Sequence, residues 1–395
     1  MFKEGRVVRR VLMAGAVALA ACTSTPTPTS EGVAAPQDAE ATDEARLSEG
    51  RSAASTPAAV LAAYAPNPSR SSSVNYELID EALDVIVFNG GPSTRRPAGR
   101  LEAPVGTRVA KGHRSRFRLE GNKIFFSQFD DETKAAIAEY RQSLEAIGRR
   151  VDVTTLSRNE QLAYWFNLHN LVVIDEIAKR YPTRFPNRLR IGPDDASFHE
   201  AKIIDLGQGV PLSLRDVREI VYTHWSDPRV IYGFFHGDVG GPSIRSQAYT
   251  GERVGERLDR QAREFVNSLR GVSESRGRLL VSEIYDEARP HFFPVWPADL
   301  TAHFLEHADE EVTEIVRGKT EVRFERYDDR VADLAGGEPG MDLRAGPSSP
   351  GVPLTVVRIV DEYREKLDTL RQEGKLQPRV IIIDVPTDDP DEVVD

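Results

Sequence analysis

The chain has 395 residues, 62 acidic against 51 basic side chains, a formal net charge of −11 and a 40% hydrophobic share, enough to build one large or two ordinary packed domains. An acidic body repels nucleic-acid phosphates and anionic lipid headgroups, so neither is expected as a partner. Cys22 is the single cysteine, which excludes disulfides, a thiol nucleophile and thiolate metal sites from the folded body.

In chain order, Lys3, Arg6, Arg9 and Arg10 precede an apolar stretch from Val11 to Ala21 that is too short to span a bilayer. It closes on Leu19-Ala20-Ala21-Cys22, which resembles the lipobox of bacterial lipoproteins, where the cysteine is acylated and becomes the new N-terminus. Residues 1–21 are therefore expected to be a signal peptide and Cys22 the lipidation site. An ordinary secretory peptide ending near a cysteine is the plainer alternative. Residues 22–73, rich in Ala, Ser, Thr and Pro, are expected to form a disordered tether of roughly 40 Å reach, with a weak helix around Pro57 to Tyr64.

The folded part is expected from Val74. Helical spacing covers Tyr76 to Leu83, with Asp84 to Phe88 either extending it or starting a strand. Loop follows from Gly90 to Gly121, then a strand at Lys123 to Phe126 and a helix from Asp130 to Ile147. Ser157-Arg158-Asn159-Glu160 has the form of a capping box, and the apolar run behind it continues to Ile177 before Tyr181-Pro182. A helix apolar nearly all round is a buried central helix. Ser213 to Asp216 opens a second helix, to Trp225. A buried strand is expected from Arg229 to Phe235, then a glycine-rich loop and an amphipathic helix marked by Val254, Leu258, Ala262, Phe265 and Leu269. A strand at Leu279 to Ile284, a helix from Asp299 to Val316, a helix near Val356 to Leu370, a strand at Arg379 to Val385 and an acidic tail complete the chain. The expected architecture is one large α+β domain (74–317) with a buried central helix and a small sheet, followed by a C-terminal extension (318–395).

The run Gln161 to Ile174, with its aromatics and asparagines on a helix, resembles the domain of unknown function 547 family, together with Leu212 to Val217, Asp227-Pro228-Arg229-Val230 and Ala248-Tyr249-Thr250-Gly251. The resemblance is strongest over 151–292. Two departures stand out. The family commonly carries Glu-His where this chain has Arg218-Glu219, and Cys-Pro where it has Gly241-Pro242. The resemblance invites comparison with thiol enzymes, and this chain lacks both groups.

The loop after Phe235 is the foremost site candidate. His236 and Asp238 have the types of a base and its orienter, Ser243 of a nucleophile, and Gly240, Gly241 and Arg245 of a ligand-binding wall. Glycines equally serve tight turns. Asn167 and Asn170, three apart on the central helix, either line a cleft or pin a neighbouring loop. His169 on the apolar stripe reads as a core residue. His199-Glu200, His224 and His236 lack metal-ligand spacing. His303 and His307, four apart, could chelate an ion, but Phe304 and Leu305 suggest an ordinary amphipathic surface. No metal or cofactor is expected. Two function classes stay open: a lipid-anchored envelope module that binds a small ligand or an envelope protein without thiol chemistry, and an envelope hydrolase or acyl transferase using residues 236–245. The outer membrane is favoured, since Thr23 follows the cysteine.

Overall fold

A computed structural model describes residues 57–101, 112–207, 209–325, 327–338 and 354–376. The signal peptide, Cys22, the tether as far as residue 56, and the strand and acidic tail expected after 376 lie outside the described residues.

Helix α4 (Arg158–Arg180; α1 to α3 are given below) is the axis of the core, with every residue from Glu160 to Ala178 buried. Its start follows from Ser157, whose side chain accepts from Glu160 N at 3.3 Å. Helix α3 (Asp131–Arg150) lies along it. Tyr164 donates to Leu144 O at 3.0 Å, and Arg141 of α3 reaches Asp175 at 2.8 Å and Glu176 at 2.6 Å. Helix α5 (Leu214–His224) opens with a full capping box between Ser213 and Asp216.

The expected strand from Arg229 to Phe235 is a 3₁₀ helix, Pro228–Gly233. Pro228 fixes a helical φ, and Asp227 accepts from Arg229 N at 2.9 Å. A short apolar run buried on all sides has no period that separates strand from helix. Helix α6 (Val254–Val266) follows the loop and packs against this element.

The sheet content is small. β1 (Val87–Phe88) pairs antiparallel with β2 (Lys123–Ile124), and β3 (Arg190–Ile191) with β4 (Ala196–Ser197). β5 (Val272–Ser275) and β6 (Arg278–Val281) form a hairpin, joined by β7 (Val322–Phe324) parallel to β6. The expected strand to Ile284 stops at Val281, because Ile284 begins helix α7 (Ile284–Phe292). The long helix expected over 299–316 is two, α8 (Ala298–His307) and α9 (Glu310–Val316). Asp309 breaks it by capping α9, accepting from Val312 N at 2.9 Å. Mixed helices and small sheets in one body make the α+β domain that was expected.

Both ends of this domain reach beyond the expected limits. Helix α1 (Pro57–Ala63), inside the supposed tether, docks on the body: Tyr64 is buried edge-on to Trp165, with ring centroids 5.3 Å apart. Asn67 N and Ser69 N then donate to Thr154 O and Thr155 O. Helix α2 (Glu77–Ile86) follows. At the other end, helix α10 (Leu354–Gln372) seats Ile359 and Tyr363 against Leu334, Phe88 and Leu119. Its Lys366 donates to Gly90 O at 2.8 Å and Leu119 O at 2.6 Å. The described residues of helix α10 thus pack on the domain through a second, smaller hydrophobic cluster.

Candidate functional site

The asparagines of α4 hold backbone. Asn167 donates to Tyr249 O and accepts from Tyr249 N, both at 2.8 Å. Asn170 donates to Gly233 O at 3.0 Å and accepts from Phe235 N at 2.9 Å. The two amides therefore anchor the stretches on either side of the loop 236–245, which is the pinning alternative.

Within the loop, Gly237 adopts φ +87°, a turn that side-chain-bearing residues rarely make. Asp238 is buried and accepts at Oδ1 from Gly241 N (2.9 Å) and Tyr327 OH (2.8 Å), and at Oδ2 from Asn187 Nδ2 (2.8 Å). Burial pushes its carboxyl up to about 7, against these three donors. The strip 327–331 locks the loop from outside: Val239 N donates to Arg330 O at 2.8 Å and Gly240 N to Asp328 O at 2.9 Å.

His236 is 8% exposed. Its Nδ1 lies 3.5 Å from Tyr327 OH, while its buried Nε2 has no partner among the described residues. Burial, then the charge of Arg218, hold it down at about 3, so the ring is neutral. His236 and Asp238 meet through Tyr327, whose hydroxyl reaches both.

A polar chain extends inward from this group. Asn187 Oδ1 can only accept, so His199 Nε2, 2.9 Å away, carries its proton. His199 Nδ1 then faces Arg218 Nη1 at 3.4 Å. His169 has the opposite tautomer: Nδ1 donates to Asn170 Oδ1 at 3.2 Å, and Nε2 accepts from Arg218 Nη1 at 3.2 Å. Arg218 is buried and pairs with Glu287 through Nε at 2.6 Å and Nη2 at 3.3 Å. Burial and Arg218 hold His169 and His199 well below the usual histidine range. The result is three neutral imidazoles around one paired guanidinium.

Ser243 and Arg245 lie apart from this network. Ser243 Oγ contacts Arg270 Nη2 at 3.2 Å, Glu264 Oε2 at 3.3 Å and Asn122 N at 3.3 Å. Both residues line a groove of about 1470 Å³ that also includes Asn89, Asn122, Arg260 and Glu311. Arg245 Nε is buried there without a hydrogen-bond partner. Arg257 of α6, which does not line the groove, is also buried, with Nε and Nη1 unpartnered. Asn167 and Asn170 meet Arg245 at a second, enclosed cavity of about 10 Å³. The candidates His236, Asp238 and Ser243 do not meet at one point: the first two face Tyr327, and the serine faces Arg270.

Tyr327, Arg218, Asn187 and Glu287 were not singled out as site residues from sequence, and His199 was weighed only as a metal ligand. Only Arg218 carried a signal, as a departure from the resembled pattern. Gly241 is the other departure, and a Cβ built there would stand 3.0 Å from Tyr327 OH, 3.1 Å from His236 Cβ and 3.3 Å from Asp238 Oδ1. Gly241 therefore borders His236, and Arg218 acts on it through its charge.

Residues 153–266 match a family model described as "Protein of unknown function, DUF547", which supports the family for this part of the chain. No curated protein and no solved structure matches the chain.

Proposed function

We propose that this DUF547-domain protein is a lipid-anchored component of a bacterial cell envelope, most plainly of the outer membrane, whose domain binds a polar, acid-bearing ligand without thiol chemistry. The anchoring half rests on the basic start, the short apolar run and Cys22. Among the described residues no helix is long and apolar enough to cross a membrane.

The observation that carries the binding half is the groove beside Arg245. Its wall offers one guanidinium, that of Arg245, with an unpartnered buried Nε. Buried donors without partners are rare, and a carboxylate, borne by an acidic peptide or glycan, is the group that pairs with a guanidinium by charge. The test is equilibrium titration of the full chain in detergent with small acidic peptides and uronic-acid oligosaccharides. Arg245→Ala should weaken binding at least about tenfold, a loss of one charge-assisted hydrogen bond. Equal binding by the variant would overturn the reading.

The alternative, an envelope hydrolase or acyl transferase using loop 236–245, draws on the unpartnered Nε2 of His236 beside Tyr327 and Asp238. It lacks a nucleophile within that group, since Ser243 is held by Arg270 and Glu264. Ester or amide turnover abolished by His236→Ala would decide for it.

A further inference from the structure

The last turn of α8 reads His303-Phe304-Leu305-Glu306-His307, and His303 and His307 are not the amphipathic surface pair the sequence suggested. They are 5% and 1% exposed, with ring centroids 4.9 Å apart. Their one-turn spacing puts both on one face of the helix.

We propose that this turn is a binding site for a divalent transition-metal ion of the zinc class, ligated by His303, His307 and Glu306. One ligand atom from each of the three already lies within 4.8 Å of the others. Tetrahedral zinc with bonds of about 2.0–2.1 Å needs donors roughly 3.4 Å apart, a closure that the exposed Glu306 side chain can make by rotation.

Three further observations point to an ion. His303 Nδ1 and both ring nitrogens of His307 are buried with no hydrogen-bond partner, which native structures seldom leave unexplained. His303 Nε2 is engaged by Tyr232 OH at 2.8 Å, with Tyr285 OH 3.1 Å behind it. Ligating histidines are commonly oriented in this way through their other nitrogen. The surroundings also favour a cation. Asp227, Asp259 and Glu306 face Arg229 and Arg263 around the two rings, and Asp259 Oδ1 stands 3.8 Å from His307 Nδ1 as a further carboxylate.

The residue order is that of the inverted zinc-protease motif, in which the histidines ligate and the glutamate serves the metal-bound water. Here the carboxylate stands near enough to ligate. The site is independent of the groove reading, because its ligands are not those that line the groove.

The experiment uses the full chain, purified without a histidine tag, stripped with chelator and titrated with Co²⁺ by visible absorption, then with Zn²⁺ in competition. One Co²⁺ per chain, displaced by Zn²⁺, is expected. His307→Gln and the exposed Glu306→Gln should each raise Kd at least about tenfold with an unchanged circular dichroism spectrum. Failure of the wild-type chain to bind, or undiminished binding in both variants, overturns the proposal. Glu306→Gln keeps the test informative if His307→Gln does not fold.

Discussion

Replacing Asn170 by alanine removes two hydrogen bonds that hold the entry to the loop 236–245, those to Gly233 O and Phe235 N. It also removes the acceptor that fixes the tautomer of His169. Both backbone partners belong to buried residues. Each group left unpaired costs about 1–3 kcal/mol, so the pair gives about 2–6 kcal/mol. The small cavity beside Asn170 lets a water replace part of the lost bonding, which moves the expectation to about 3 kcal/mol. In a chain of this size that is a fall of roughly 6 °C in Tm. The assay is urea unfolding followed by tryptophan fluorescence, with Asn167→Ala as its counterpart on the Tyr249 side. The two asparagines hold different segments but stand one helical turn apart at the same small cavity, so the double variant should depart from the sum by about 0.5 kcal/mol or more. A loss below 1 kcal/mol for Asn170→Ala in a folded protein would refute the assignment of this amide to backbone pinning.

Gly233→Ala should prevent accumulation of folded protein or cost several kcal/mol, because the new Cβ would lie 2.3 Å from Cε1 of Phe166; expression yield and thermal melting check it. Tyr64→Ala should destabilise the domain by about 2 kcal/mol, measured by melting, since the ring packs on Trp165; an unchanged midpoint would mean that α1 is not part of the cooperative unit. The pH dependence has opposing parts. His236 and His303, held at about 3 when folded, bind fewer protons folded than unfolded, so their contribution is present above the unfolded value of about 6.5 and is lost as pH falls below it. Asp238, at about 7 when folded, binds more protons folded, so its contribution is present below about 4 and is lost as pH rises towards 7. Asp238→Asn removes the second part, and the loss of stability from pH 7 to pH 5 should steepen by up to about 1.4 kcal/mol per pH unit. An equal or shallower slope in chemical denaturation would show that this carboxyl is ionised in the fold.

The elements legible in the sequence are those with local causes. Ser157 and Ser213 mark the starts of α4 and α5 through their own side chains, and the apolar surface of α4 announces its central place before any partner is known. Where the cause is distant, the reading failed. It also passed over two local signals, the Asp227-Pro228 start of the 3₁₀ segment Pro228–Gly233 and the capping Asp309 that separates α8 from α9. Docking of residues 57–70 depends on Trp165 and on the carbonyls of Thr154 and Thr155, roughly a hundred residues away. The site is the extreme case. Asp238 was visible as a loop carboxyl, but Tyr327, which joins it to His236, lies 89 residues further on, and Glu287 lies 69 residues from Arg218.

The arrangement around Arg218 accounts for how this fold holds a buried guanidinium beside His236. A buried guanidinium costs several kcal/mol unless it is paired and hydrogen-bonded. Glu287 supplies the charge, while His169 and His199 accept from Nη1. Those acceptors exist only in neutral rings, and the arginine's own charge helps to keep them neutral. The network is thus self-consistent without any reacting group, and it joins α4, α5 and α7. His236 stands at its edge with one unpartnered nitrogen, while the groove opens on the far side of the same loop, at Ser243 and Arg245. Removing the paired charge by Glu287→Gln would therefore disturb the helices that carry the loop before it disturbed any chemistry, and a ligand at Arg245 would register that change only through the position of the loop.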